Sequence, residues 1–221
     1  RKFTLMQYMA SARRILPELE SYTATKWNLP DSETTEKEMT AKSDQLFGVY
    51  LPIRHYEYWV YLRHYGYPSP LLDWSESPYV AAYFAMCDAH FDEKKQSTEQ
   101  GAAVYVYIES TDGGKEFFRD QPLIQVQGHQ VSTHKRHFIQ KAWYTLALKW
   151  SEKRHDFIFC PHHEIFDKQR HRQDKLIKIT IPIEDRKSAL KDLNDYNINH
   201  FTLFQTEDAL VKALSMEEFD L

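Results

Sequence analysis

Cysteine is scarce in this chain. Only Cys87 and Cys160 occur among 221 residues, too few for a disulfide scaffold, and a reducing cytoplasm is the expected setting. Positive charge is not in excess either. Lys and Arg number 28 against 32 Asp and Glu, for a net charge of −4, which excludes nucleic-acid binding by bulk electrostatics while leaving room for a local basic patch. Apolar runs are too short to span a bilayer, and no secretory leader is visible, so no membrane association is expected. Neither a GxSxG nucleophile elbow nor a GxxxxGK phosphate loop occurs. Cys160-Pro161-His162-His163-Glu164, with His171 further on, matches no recognised zinc spacing; it reads as a solvated loop after a strand, and no metal is expected.

What is present describes a globular protein. Hydrophobic residues make up 42% of the chain, enough for a folded core. Aromatics reach 14%; they supply core area and stacking surfaces for planar ligands. The expected division is an N-terminal helical segment over 1–50 and an α+β domain over 51–221.

Phe3, Met6, Met9, Ala10, Ile15, Leu16 and Leu19 recur at roughly helical spacing, with Pro17 placed to kink or end that helix. Asp31 or Ser32 can cap a short helix after Pro30. Dense apolar residues from Tyr56 to Leu62 predict a buried helix stopped at Gly66, and Pro78–Met86 predicts a second. Strands are expected at Ala102–Ile108, Leu123–Val126, Trp143–Leu148 and Leu176–Ile183, with a shorter one at Phe157–Phe159. Glu184–Leu193 and Thr206–Leu214 read as helices, and Phe201–Phe204 as a short strand or turn. Helices come mostly early and strands mostly later, an α+β pattern without alternating βα units.

The stretch Leu62–Ala85, LRHYGYPSPLLDWSESPYVAAYFA, is the most informative. It reads as the end of a buried helix, a Gly/Pro turn, a short strand at Leu71-Leu72, and a polar turn opening a helix. Asp73, Ser75 and Ser77 stand near that helix's N-terminus, where unpaired N–H groups favour anions such as a pyrophosphate. Trp74 beside them offers a ring for stacking. The plainer reading, caps plus a core tryptophan, suits the same residues.

This stretch resembles the signature of the FRG domain family, roughly QHxGxPTRLLDWTxSPxxAxxFA. His64, Gly66, Pro68, Leu71, Leu72, Asp73, Trp74, Ser77, Pro78, Ala81, Phe84 and Ala85 fit it in order. Arg136–Tyr144 (RHFIQKAWY) resembles the family's RxxxQxGxF, and Leu193–Leu210 (LNDYNINHFTLFQTEDAL) resembles LxxxGINxxTLFPDLDGL.

The resemblance implies an ADP-ribosyltransferase-like fold: a split β-sheet with N-terminal helices packed on it and a cleft for NAD, which would be the substrate. By that likeness Ser75 and Ser77 would brace the nicotinamide side, Asp73 and Trp74 would shape the cleft, and His64 would stand at its mouth. Gln140 would take the place usually held by a late-strand Glu, with Arg136 and Tyr144 near it. Asp73 or Glu76 would supply a carboxylate. Some positions depart from the family pattern. The Phe-Arg-Gly that names the family is not found, Pro70 replaces an Arg, Arg63 a Gln, Ala142 a Gly, and Gln205-Thr206 a Pro-Asp. Arg54, Arg63 or Arg136 would then have to meet the NAD phosphates. The function implied is transfer of ADP-ribose from NAD to a nucleic acid or protein, in a bacterial toxin or phage-defence effector restrained by an antitoxin or inhibitor protein. The competing reading is a module that binds a nucleic acid, nucleotide or protein without chemistry. His129, His134, His137, Lys135 and Arg136, with Arg170, Arg172 and Lys175, are the candidate basic surface for an RNA or DNA acceptor.

Overall fold

The N-terminal apolar run folds as two helices, α1 (Leu5–Arg14) and α2 (Leu16–Thr23). The chain turns at Ile15, and Pro17 falls in the first turn of α2, where its missing N–H costs nothing. Thr4 opens α1 with a capping box: Gln7 N–H donates to Thr4 Oγ1 and Thr4 N–H to Gln7 Oε1, each at 3.2 Å. The buried face is Leu5, Tyr8, Met9 and Ala12, while Phe3 is 53% exposed. The stripe expected through Phe3, Met6 and Ala10 is therefore rotated, because Tyr8 turns its ring inward.

In this computed structural model the described residues are 3–35, 37, 53–87, 101–110, 118, 120–128, 131, 135–168 and 174–219. They combine helices with two sheets, an α+β chain. The chain divides into two compact units. Unit 1 comprises Arg1–Asp73, Ile108–His134 and Tyr144–Lys175; unit 2 comprises Trp74–Tyr107, Lys135–Trp143 and Leu176–Leu221.

Unit 1 is centred on α3 (Ile53–His64). Tyr56, Tyr58, Trp59, Val60 and Leu62 are each at most 3% exposed, so much of the helix is buried although Glu57, Arg63 and His64 also lie on it. Its tyrosines carry their polar ends to backbone carbonyls. Tyr58 donates to Ala12 O at 3.0 Å and Tyr56 to Gly128 O at 2.8 Å, and on α1 Tyr8 donates to Pro68 O at 2.8 Å. Tyr8 also meets Trp59 edge-on at 4.6 Å. Gly66, at φ +82°, stops α3, and Tyr67 N–H closes back on Leu62 O at 3.0 Å. The unit's strands are β3 (Leu123–Gln127), most of β4 (Ala142–Ser151) and β5 (Asp156–Phe159). β3 and β4 are antiparallel, pairing Leu123 with Leu148 and Gln127 with Tyr144; β5 pairs the far end of β4. Residues after Cys160 form α6 (His162–Lys168), anchored by fully buried Ile165, where a solvated loop was expected.

β1 (Leu72–Ser75) begins one residue later than the expected Leu71-Leu72 strand and runs on through Asp73 and Trp74. The four-stranded sheet has the order β1–β4–β3, with β5 also on β4.

Unit 2 is mainly helical. It holds α4 (Pro78–Cys87), α5 (Lys135–Ile139), α7 (Arg186–Asp195), α8 (His200–Phe204) and α9 (Glu207–Glu218). Its two-stranded sheet is formed by β2 (Gly101–Ile108) and β6 (Lys175–Pro182). A Cβ on Gly101 would stand 2.8 Å from Ile181 O, so the strands meet there only through a glycine. The core joins Val80, Tyr83 and Cys87 of α4 to Leu193 and Leu203. Phe201–Phe204, expected as a short strand or turn, is helical because Asn199 and Thr202 form a capping box before it. Two departures from the family pattern are physically conservative. Asn197, where that pattern has Gly, adopts φ +61°, a conformation Asn tolerates better than other side chains. Thr206, where the pattern has Asp, accepts from Ala209 N–H and caps α9.

Candidate functional site

The expected site residues fall in both units. In unit 1, Arg63 and His64 end α3, and Asp73 lies in β1. Asp73 was expected at a helix N-terminus. Its carboxylate instead accepts from Arg63 Nε at 2.6 Å, and both side chains are partly exposed. Such a pair adds at most about 1 kcal/mol to stability, so it is available for another use. His64 Nε2 lies 3.0 Å from the hydroxyl of Tyr144, which is fully buried in β4. Tyr56 meets the Tyr144 ring edge-on at 6.0 Å. Burial pushes the Tyr144 phenol well above its usual pKa, with the Asp73 charge adding and Arg63 opposing. Tyr56 is raised by burial, then by Tyr144 and Asp73. Both phenols stay neutral at physiological pH, and the contact with the buried Tyr144 hydroxyl fixes the orientation of the His64 imidazole.

In unit 2, Trp74 is half-buried with its ring 5.4 Å from Tyr107, tilted by 36°. Ser75 holds the following turn. Its hydroxyl donates to Gln140 O at 2.7 Å and accepts from Ser77 N–H at 3.1 Å. Ser77 caps α4, accepting from Val80 N–H at 3.4 Å. The serines thus perform the plainer role read from sequence. Gln140 follows α5 in a turn; it is not on a strand, as a late-strand equivalent would be. Its amide nitrogen donates to Leu203 O at 3.1 Å. Arg136 turns to the end of α8, donating to Phe204 O at 3.4 Å with its guanidinium over the Phe204 ring. That geometry commits it to a helix C-terminus. Glu76 accepts from the Trp143 indole N–H at 2.6 Å.

His129, His134, Arg170 and Arg172 of the proposed basic surface, like His171, lie outside the described residues, as does the side chain of Arg54. His137 is only 5% exposed and is not a surface group. His162 contacts Thr145 Oγ1 at 2.8 Å, and burial lowers its pKa.

Three contacts were not expected. Tyr56 meets Tyr144, which His64 also contacts; Tyr56 and His64 stand roughly two turns apart on α3, and that spacing was a usable signal. Glu76–Trp143 and Tyr83–His200, the latter 3.1 Å apart, join residues distant in sequence and left no local trace.

Residues 9–94 match the family model of the FRG domain. No curated protein and no solved structure matches the chain. Among the described residues, no helix is long and apolar enough to cross a membrane.

Proposed function

We propose that this protein binds NAD and transfers its ADP-ribose to a macromolecular acceptor, nucleic acid or protein, through an ADP-ribosyltransferase-like fold. The observation that carries the reading is the Leu62–Ala85 signature, folded with Trp74 half-buried and partnered by Tyr107. An indole held in this way offers a face to a planar ring. The separation of the strands into two sheets supports the same reading.

In the reaction the bond between the ribose anomeric carbon and the nicotinamide nitrogen breaks, and its electron pair leaves with nicotinamide. The oxocarbenium-like ribose is captured by the acceptor's nucleophile, whose proton passes to a base or to water. Little covalent chemistry falls to the protein, so position and charge dominate. Ser75, Ser77 and Gln140 act here as positioning residues, since their hydrogen bonds hold the turn and its neighbours. Asp73 and Glu76 are the carboxylates able to hold a ribose hydroxyl, and a bacterial toxin or defence effector of this kind would need an inhibitor protein in its own cell.

The alternative, a binding module without chemistry, is favoured by those same internal bonds, which leave the serine hydroxyls little freedom to act on a substrate. Incubation with labelled NAD and cell extract, followed by protease or nuclease, separates the two. Label released by one digestion identifies the acceptor. NAD binding with no label in any fraction removes the transferase and leaves the module.

A further inference from the structure

Unit 2 contains a cavity of about 460 Å³ that the expected site residues do not account for: none of Trp74, Ser75, Ser77 and Gln140 lines it. Its lining comes from α4, α7, α9 and the start of α8. Its size falls within the roughly 300–1,000 Å³ of sites that take small molecules. The floor is fixed. Tyr83 is only 2% exposed, its hydroxyl lies 3.1 Å from His200 Nδ1, and the His200 ring stacks on Phe204 at 4.4 Å. At one end Asn199 Nδ2 donates to Asn194 Oδ1 at 2.9 Å and ties the turn before α8 to α7.

The lining divides by chemistry. Leu190, Ile198, Ala213 and Met216 supply an apolar wall, and all four are only partly buried, so they leave apolar surface for a ligand to cover. Charge of both signs borders that wall. Lys187 and Lys191 stand one turn apart on α7, on the same side of the helix. Asp195 lies a further turn along α7, and Glu217 borders the cavity from α9. Lys191, Asp195 and Glu217 are exposed and make no ion pair among the described residues. An uncharged ligand would leave these groups unused, a simple anion would meet the two carboxylates, and a simple cation would meet the two lysines. A zwitterion on an apolar body satisfies both signs.

We propose that this cavity binds a free α-amino acid with a large apolar side chain. The side chain covers Leu190, Ile198 and Met216 and reaches the Tyr83 ring, the carboxylate meets Lys187 and Lys191, and the ammonium meets Asp195 and Glu217. An aromatic side chain gains a further ring contact with Tyr83. The site is separate from the Trp74 turn and does not rest on the dinucleotide reading.

Calorimetry on the full chain tests this with L-phenylalanine and two analogues that each lack one charge: hydrocinnamate, without the ammonium, and phenethylamine, without the carboxylate. Wild type should bind L-phenylalanine and prefer it by about tenfold or more over either analogue, the usual effect of one lost charge-assisted contact. Lys191→Gln should narrow the preference over phenethylamine, and Glu217→Gln the preference over hydrocinnamate. Melting temperatures should hold in both variants, because both side chains are exposed. No binding of L-phenylalanine by the folded wild-type chain overturns the proposal. So does equal affinity for the three compounds, or a preference that either variant leaves intact.

Discussion

The two units solve the same problem with different materials. Unit 1 buries Trp59, Tyr58 and Tyr144 completely and brings phenol hydroxyls to backbone carbonyls or to a histidine. Unit 2 has an apolar cluster on α4, α7 and α8 and relies on short polar side chains that hold turns: Ser75, Ser77, Asn199 and Thr206. The expected site residues follow that division. The partly exposed Arg63–Asp73 pair of unit 1 has little structural duty, whereas Ser75, Ser77, Arg136 and Gln140 of unit 2 are tied into the backbone. Alteration of the first group should therefore touch ligand binding, and alteration of the second should touch folding as well.

The largest effect should come from the aromatic core. Trp59→Ala in unit 1 should cost about 3–5 kcal/mol in chemical denaturation, against about 2–3 kcal/mol for Leu203→Ala in unit 2. Equal costs would erase the contrast in packing.

Next comes pH. His55 is 1% exposed and 3.1 Å from Thr35 Oγ1. Burial, then the Arg13 charge, lowers its pKa to about 4. Between that value and the unfolded value near 6.5, the unfolded chain binds the extra proton. The stabilisation is complete above about pH 6.5 and is lost as pH falls through 4, by at most about 3 kcal/mol. Unfolding measured from pH 7.5 to 4 should show this loss in wild type and not in His55→Gln. Parallel pH profiles would remove His55 from the account.

Ser77→Ala should cost about 1 kcal/mol through the lost cap. If labelling from NAD vanished while thermal stability held, the serine would be acting on a ligand and not on the turn. Arg63→Ala should change stability least, by under about 1 kcal/mol, and should lower NAD affinity more than Ser77→Ala does. The opposite order of affinities would break the division between ligand-facing and backbone-tied groups.

Much of the fold was legible. Periodicity and punctuation located α3 and α4, and alternation located β2 and β6, because local sterics and side-chain period decide such elements. Errors arose where a residue has two natures. Tyr8 counts as polar in a pattern but buries its ring, which rotated the inner face of α1. Asp73 is a capping residue by type, but Arg63 claims it. Phe201–Phe204 looks like a strand until Asn199 and Thr202 are seen to reciprocate.

Local chemistry was decided by sequence alone: the stop at Gly66, the start at Pro78, the caps at Ser77 and Thr206, and the FRG signature. Each depends on a few neighbouring residues whose conformational preferences act within one turn of chain. Tertiary structure alone decided which groups share an environment: His64 with Tyr144, Glu76 with Trp143, Gln125 and Gln127 with the buried face of β4. Those meetings depend on strand register and on burial, and both are set by side chains tens of residues away.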